Sequence, residues 1–551
     1  MRHFPLPVTT APRADSRHSA RTQQPVLLIG FLNQGNLGLG YLAATLRQAG
    51  YRVEILDIEQ DVASLCQAAQ ALRPLLIGFS LIFQFYLPRF ATLAERLREY
   101  DQTCHFTIGG HFPSLNPTLT LEHIPHLDSV VRFEGEQTLL ELTSRLDKQQ
   151  AWQDIDGIAY RQDERVRMNP LRPLLPDLDR LPYPDREYEA ETILGQRAMP
   201  LIASRGCART CSFCSIHTFY RQAPGKVVRT RQPVHVVEEM HHLHHTRGIN
   251  IFLFQDDDFP LYGKAWQRWA RLFVAELWRS GLAGRIAWKI NCRADAVDAA
   301  LFTEMRAAGL YLVYMGLESG SEHGLQTLHK QIDVEQNLRA VALLKQIGMM
   351  FEFGFMLFDP SSTLPGIRDN IRFLREIVGD GSAAAVFCRM LPYEGTPIKS
   401  TLEAEGRMRG DICNPDYDFL EPCIESLYKE VHELTSMAGW VHGQRSLAPN
   451  INWAWNELAI IRRLFPSVRH SRRYETNLRS ITRSANQLLF TMLEDACQGH
   501  ECGRTSGWSE ADLGERCDRL LERLLHTRNR FIASQQHELS KDLRRTGLLV
   551  A

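Results

Sequence analysis

The sequence predicts an α/β chain in three parts: a doubly wound, flavodoxin-like domain, a partial (β/α)6 barrel and an α-rich C-terminal region. Three observations carry that expectation. From Val26 onward short branched apolar runs alternate with amphipathic stretches, a cluster of five prolines between Pro170 and Pro184 breaks the alternation once, and beyond about Gly410 only helical periodicity continues. At 551 residues the chain also exceeds what one core accommodates.

The first alternation uses "VLLIGF", "YRVEILD", "LLIGFS", "HFTIGG" and "SVVRF", each five to seven residues long. Unbroken branched runs of this length suit parallel strands buried on both faces. "LGYLAATLRQAG" and "RFATLAERLREY" between them carry helical periodicity, the first ending at Gly50 as a stop signal. Residues 26–150 are therefore predicted as the doubly wound domain. Residues 1–25 have no apolar core of a secretory signal and read as a disordered tail, with a weak likeness to a transit peptide in their basic, acid-poor composition.

"IDGIAYRQDERVRMN" gives two alternating runs about a polar turn, a predicted hairpin. The prolines that follow can continue neither a helix nor a central strand, so 151–196 is assigned to hairpin and linker. A second alternation then runs through "AMPLIAS", "INIFLF", "RIAWKI", "LYLVYMGLES", "MMFEFGFMLF" and "AAAVFCRML". Six βα units within 197–408 fit a partial barrel, short of the full eight. Residues 409–551 are expected to be helical and free of strands.

Lys plus Arg number 63 against 64 acidic residues, so overall charge offers no reason for nucleic acid or an anionic membrane as partner. No apolar run reaches the roughly 18 residues of a spanning helix. Twelve cysteines, scattered outside one cluster, suit a reducing, cytoplasmic setting. "EEMHHLHHTRG" reads as a solvated histidine-rich helix face or a metal site. "RRLFPSVRHSRRYETNLRSITR", with seven arginines and one glutamate, reads as a solvated basic helix or an anion clamp.

The chemistry concentrates in "SRGCARTCSFCSIHTF", where Cys207, Cys211 and Cys214 stand at spacings of four and three directly after the first barrel strand. Four thiolates would suggest structural zinc and two a redox dithiol. A trio of small buried hydrophobes on one helical face is the bland alternative. A cubane iron–sulfur cluster takes four cysteines, so three would leave one iron without a protein ligand.

C-x-x-x-C-x-x-C with Phe213 before the last cysteine resembles the signature of the radical S-adenosylmethionine (radical SAM) superfamily. The resemblance implies a 4Fe-4S cluster whose open iron chelates SAM, and reductive cleavage of SAM to a 5′-deoxyadenosyl radical. It also implies SAM contacts at Phe213, at Asp256 and Asp257 in "FQDDDF", and at Glu318 and Ser319 in "GLESG", while Asp258 fills a variable position. Solvated loop charge is the competing reading of the acids. Arg293 is a further candidate for the SAM carboxylate, against a surface salt bridge. Asp359 in "LFDPSSTLPG" stands where the family usually has glycine, and "LPYEGTPI" is similar to the family's closing segment.

In a doubly wound sheet ligands bind outside the carboxyl ends of the strands. The loops there are "NQGNLGLG", Ser80, "GGHFPS" and "FEGEQT". A nucleotide turn is the first rival, but "GNLGLG" does not fit G-x-G-x-x-G. "GLGYLAATLRQAGYRVEILD", "IGGH" and "EGE", ahead of the barrel, resemble the cobalamin-binding domain of many radical SAM enzymes, so that the likeness spans about 26–400. It implies cobalamin contacts at Gly35, Leu37, Gly38, Ser80, Gly109, Gly110, His111, Glu134, Gly135 and Glu136. No D-x-H-x-x-G occurs between 26 and 150, and His105, His123 and His126 lack that context as well, so His111 is expected to line the pocket without ligating cobalt.

The function implied is a cobalamin-dependent radical SAM C-methyltransferase. The alternatives are the same cofactors used for cyclisation, ring contraction or oxidation, and, from another class, a non-catalytic cobalamin or iron–sulfur sensor. A transfer-RNA methylthiotransferase would need three more cluster cysteines in the first domain, where only Cys66 and Cys104 precede the linker. The partners expected are a small-molecule or peptide substrate and a flavodoxin- or ferredoxin-type electron donor.

Overall fold

The computed structural model describes residues 24–32, 35–100, 103–163, 165–441 and 445–545. The tail expected over 1–25 lies, up to residue 23, outside the described residues.

The first domain runs β1 (Val26–Gly30), α1 (Leu37–Gln48), β2 (Val53–Asp57), α2 (Val62–Leu72), β3 (Leu76–Ser80), α3 (Leu87–Glu99), β4 (His105–Gly109), α4 (His111–Leu115), α5 (Pro117–His123), β5 (Ser129–Val131) and α6 (Glu136–Asp147). The Asn36 side chain caps α1 by accepting from Leu39 N, and Asp61 caps α2 in the same way. The sheet order is β2-β1-β3-β4-β5, all parallel, the flavodoxin order. One sheet face is covered by α1 and α6 through Leu28, Leu39 and Leu142, the other by α2 and α3 through Ile29, Leu65 and Phe90.

The hairpin that the sequence places with the linker, β6 (Ile158–Gln162) and β7 (Arg165–Met168), instead continues this sheet, pairing antiparallel along β5. Its burial explains why. Ile158 joins the core on one sheet face and Ala159 that on the other, so the strand extends both.

The second sheet has the order β16-β15-β14-β13-β12-β9-β8. A short hairpin opens it, β8 (Glu191–Ile193) against β9 (Gln196–Leu201). Its turn places Leu194 and Gly195 at φ 52° and 79°. Both central residues are left-handed, yet leucine is no turn signal, which hides β8 in the sequence. Then come β10 (Ser204–Arg205), α7 (Ser215–Gln222) and β11 (Arg229–Thr230), β10 and β11 pairing across the cysteine loop.

The barrel proceeds through α8 (Pro233–Arg247), β12 (Ile249–Phe254), α9 (Lys264–Arg279), β13 (Ala287–Arg293), α10 (Ala299–Ala307), β14 (Leu310–Glu318), α11 (Glu322–Thr327), α12 (Val334–Gln346), β15 (Met350–Phe358), α13 (Leu364–Val378) and β16 (Cys388–Arg389). β9 and β12 to β16 are the six parallel strands. The sixth is only two residues long, because Ala384 and Ala385 donate their N–H groups to Asn452 and Asn486 of the C-terminal helices.

After α14 (Pro397–Ala404), strands do not cease at Gly410: β17 (Met408–Gly410) pairs antiparallel with β18 (Pro415–Tyr417). The Asp411 carboxylate accepts from Cys413 N and Asn414 N and turns the chain there. The rest is helical, α15 (Pro422–Met437), α16 (Leu447–Leu464), α17 (Ser471–Glu501), α18 (Glu510–Ser534) and α19 (Gln536–Arg545). These helices share one continuous apolar core with the barrel, α16 lying against β13, β14 and β15.

Candidate functional site

The cysteine loop is held from beneath by acids. The Asp256 carboxylate accepts from Ala203 N at 3.1 Å and from the Ser204 hydroxyl, and Asp257 accepts from Gly206 N at 2.9 Å. Gly206 sits at φ 89°, and a Cβ there would collide with the Val227 carbonyl. Beyond it, Ser212 N is tied to Leu328 O at 3.0 Å and Cys214 occupies the N-cap of α7. The loop is thereby anchored at both ends.

Burial pushes the Cys207 thiol up to about 12 and Cys214 up to about 11. Arg293 Nη1 lies 3.6 Å from Cys211 Sγ. Thiols so desolvated stay neutral until a bound metal deprotonates them. Among the described residues no three His, Cys, Asp or Glu donors converge on a single ion point. A cubane spreads its sulfur ligands over separate irons and needs no such point.

Around this loop the sequence candidates divide. Arg293 is buried, not a surface pair; it meets Asp295 at 3.1 Å and the Lys330 carbonyl at 2.5 Å. Glu318 ends β14 at φ 64°, a strained place for a residue with a Cβ, and pairs with Lys330 Nζ at 2.9 Å. Ser319 is turned away into the fold, its hydroxyl donating to Asn370 Oδ1 at 2.9 Å. Phe213 packs on the barrel core. Asp359 is buried in its own turn, accepting from Ser361 N at 2.8 Å.

Asp258, given no role from sequence, has an oxygen that is buried and bonded to nothing among the described residues. Burial pushes its carboxyl up to about 6, opposed by Arg293 and Arg209. The two acids before it, Asp256 and Asp257, are both engaged with the loop backbone. Adjacency in the chain gave no means of telling the three acids apart.

All ten first-domain candidates line one cavity of about 970 Å³ that also reaches Asp257 at the barrel mouth. Gly110 is required there, since a Cβ would strike the Leu81 carbonyl. His111 stacks on Phe219 of α7, ring centres 4.4 Å apart, and burial pushes it down to about 4, so it is neutral. Glu134 and Glu136 line the cavity but spend their charge across the domain boundary. Glu134 meets Arg229 at 2.8 Å, and Glu136 meets Arg205 at 2.6 Å.

Sequence reading missed the far wall, where Lys289, Tyr311, Trp453 and Asn456 line the same cavity. No pattern links those positions. The histidine-rich segment forms α8, outside this cavity, with His241 and His245 stacked 3.9 Å apart. Much of the arginine-rich segment is internally bound: Arg462 and Arg479 pair with Glu475, and Arg463 donates to the Ile286 and Ala307 carbonyls.

A doubly wound domain faces a partial barrel that carries three loop thiols, and one cavity is lined by both. Family models agree domain by domain: the B12 binding domain matches residues 33–143 and the radical SAM superfamily residues 201–372. The chain is thus a radical SAM enzyme with a cobalamin-binding domain.

Among curated proteins, an uncharacterized methyltransferase of Pyrococcus horikoshii is 29% identical over 66% of this chain and 77% of its own length. The anaerobic magnesium-protoporphyrin IX monomethyl ester cyclase of Rubrivivax gelatinosus is 29% identical over 61% of each chain, so less than two thirds of that relative is spanned. The cobalamin-dependent S-adenosylmethionine radical enzyme OxsB superposes with TM-score 0.67 at 17% identity, over 95% of this chain and 84% of that one. The radical SAM methyltransferase TsrM from Kitasatospora setae gives 0.59 at 18%, over 70% and 75%.

These two domains imply a 4Fe-4S cluster, SAM and cobalamin as cofactors. The residues present fit them: three thiols on an anchored loop, an unsatisfied buried Asp258 oxygen beside it, and a cavity floored by glycine backbone.

Proposed function

We propose that the chain is a cobalamin-dependent radical SAM C-methyltransferase acting on an unactivated carbon of a small-molecule or peptide substrate. The observation that carries this reading is the single cavity running from the glycine loops of the first domain to the barrel mouth. The names of the Pyrococcus relative and of the hopanoid C-3 methylase of Methylococcus capsulatus, 26% identical over 58% of this chain and 60% of its own length, support methyl transfer. The cyclase relatives support a second reading, the same cofactors working without net methyl transfer.

Cys207, Cys211 and Cys214 would hold the cluster, Asp258 with Arg293 and Glu318 the polar end of SAM, and the loops at Gly35–Gly38, Ser80, Gly109–His111 and Glu134–Glu136 the corrin. When bound, these groups supply reductive SAM cleavage and a methyl group carried on cobalt. The chain's own part is placement and exclusion of water. Asp256 and Asp257 fix the loop that carries the thiols. His111 and Phe219 wall the cavity at the domain boundary with a neutral stack. The Glu134 and Glu136 pairs with Arg229 and Arg205 lock one domain on the other.

No helix among the described residues is long and apolar enough to cross a membrane. A reducing cytoplasm and a flavodoxin- or ferredoxin-type donor suit a cluster that must accept an electron.

The test is anaerobic reconstitution with iron, sulfide and hydroxocobalamin, then turnover with reductant and methyl-labelled SAM in the presence of host metabolites. Methyl transfer predicts 5′-deoxyadenosine together with a labelled product. 5′-Deoxyadenosine with an unlabelled, modified product favours the second reading, and failure to form 5′-deoxyadenosine removes both.

A further inference from the structure

The cavity does not end at the barrel mouth. Inward-facing residues descend β13 from Arg293 through Asn291 to Lys289, where Lys289 is in register with Leu253 of β12 and Leu312 of β14. Four residues of strand place Lys289 about 13 Å below Arg293. At this depth the barrel is closed by α16, whose Trp453 and Asn456, one turn apart, line the cavity beside Lys289 and Tyr311. Tyr311 reaches the lumen because the β13–β14 register slips between Trp288 and Lys289.

Three features mark this floor as built for a ligand. Lys289 makes no ion pair or hydrogen bond among the described residues; it feels the charge of Glu352 from β15 without pairing, and Glu191 lies on the open edge of the sheet. The Tyr311 hydroxyl and the Asn456 carbonyl oxygen are both buried; the two side chains face each other, yet neither of these atoms completes a well-formed hydrogen bond among the described residues. Unpaired buried polar atoms are costly, a cost that a bound polar group would remove. Trp453 is 44% exposed, its ring surface open to the cavity.

The family models cover 33–143 and 201–372, so α16 falls outside both. We propose that the barrel floor is a substrate subsite, in which Lys289 and the hydroxyl of Tyr311, held beside Asn456, donate to an anionic oxygen group, a carboxylate or phosphate, while Trp453 packs on the flat apolar body that carries it. This rests on the functional reading above and names the substrate class for the same cavity. The anionic end lies remote from the reacting carbon, where its binding energy orients the substrate. The C-terminal helices thereby acquire a role as the specificity element.

The experiment needs no knowledge of the substrate. Reconstituted holoenzyme is titrated with benzoate, phenyl phosphate and benzyl alcohol by saturation-transfer NMR, as wild type, Lys289→Met, Lys289→Arg and Trp453→Ala. The anions should bind more tightly than the alcohol, and Lys289→Met should weaken them at least about tenfold, as loss of a charge-assisted hydrogen bond predicts. Lys289→Arg should restore most of that binding, and Trp453→Ala should weaken all three probes. Whichever of the two anions binds more tightly separates carboxylate from phosphate. Equal binding of alcohol and anions, anion binding untouched by Lys289→Met, or no binding of any probe overturns the proposal. Corrinoid retention and 5′-deoxyadenosine yield of the same wild-type sample report on the functional reading alone, and the probe titration involves no turnover, so either can fail without the other.

Discussion

The Arg205 guanidinium donates to the Glu136 carboxylate at 2.6 Å across the boundary between the first domain and the barrel. Their side chains are 11% and 9% exposed, and Arg205 also meets Glu134 at 3.3 Å and lies over the Tyr41 ring. Because Arg205 stands two residues before Cys207, the position of the cysteine loop is coupled to the first-domain loop that walls the shared cavity. Removing one partner of a buried pair costs about 3–5 kcal/mol, since the other charge is stranded. Arg205→Met is therefore expected to lower the Tm and to speed corrinoid loss on desalting, with iron per chain unchanged. A variant that melts like wild type and keeps its corrinoid would show that the domains are not coupled here.

The same pair sets an acid limit. Burial alone would raise the Glu136 carboxyl, but Arg205, through its charge and hydrogen bond, outweighs it and holds the group below its ordinary value. A carboxyl depressed in the folded state contributes stability that is present above its unfolded pKa, about 4.3, and lost as pH falls through the folded value. Denaturation midpoints of wild type should fall more steeply below about pH 4.3 than those of Glu136→Gln, which has no such proton to gain. Parallel pH profiles for the two proteins would count against the assignment.

How much of this was legible depended on whether the determinant was local. Branched runs such as "VLLIGF" and "INIFLF" announce buried parallel strands, and the thiol spacing marks the loop proposed to carry the cluster, because both lie in a few adjacent residues. β8 escaped because its turn uses Leu194, and β16 is shorter than its apolar run because Asn452 and Asn486, far along the chain, take its N–H groups. The periodicity of α16 says that it is buried but not against what, so Trp453 and Asn456 carried no signal. Nor could sequence reveal that Ser319 turns to Asn370 and not to the cavity.

His111 offers a spectroscopic check. It is neutral and stacked on Phe219, a posture that serves packing. His111→Phe should keep most corrinoid binding, and the Co(II) form of either protein should lack nitrogen splitting from a protein ligand in its EPR spectrum. Nitrogen splitting that disappears in the variant would make His111 a ligand.

Cys211 is the most buried of the three thiols, and Arg293 Nη1 lies 3.6 Å from its sulfur. Under the proposed function its replacement removes a cluster ligand without opening the apolar core. Cys211→Ala should stay folded by circular dichroism, lose the brown absorbance and iron, and form no 5′-deoxyadenosine. A variant that still cleaves SAM would exclude the trio as the cluster site.

The three consecutive acids make the sharpest comparison, because one substitution repeated at adjacent positions should have different consequences. Asp256 accepts from Ala203 N and the Ser204 hydroxyl, and Asp257 from Gly206 N, so both act on the loop that presents the thiols. Asp258 alone keeps a buried oxygen with no partner, and burial, countered by Arg293 and Arg209, raises it to about 6. A cationic group set against that oxygen would favour its charged form and gain a charge-assisted hydrogen bond of about 1.5–3 kcal/mol. Asp258→Asn is accordingly expected to keep its iron and raise the KM for SAM by about tenfold or more. Asp256→Asn should show the reverse, lowered iron incorporation with a KM near wild type in the fraction that holds a cluster. The paired measurements are iron per chain and the SAM dependence of 5′-deoxyadenosine formation. If Asp256→Asn raises KM and Asp258→Asn does not, the ammonium of SAM is bound by the acid that sequence alone would choose, and the free oxygen of Asp258 has another purpose.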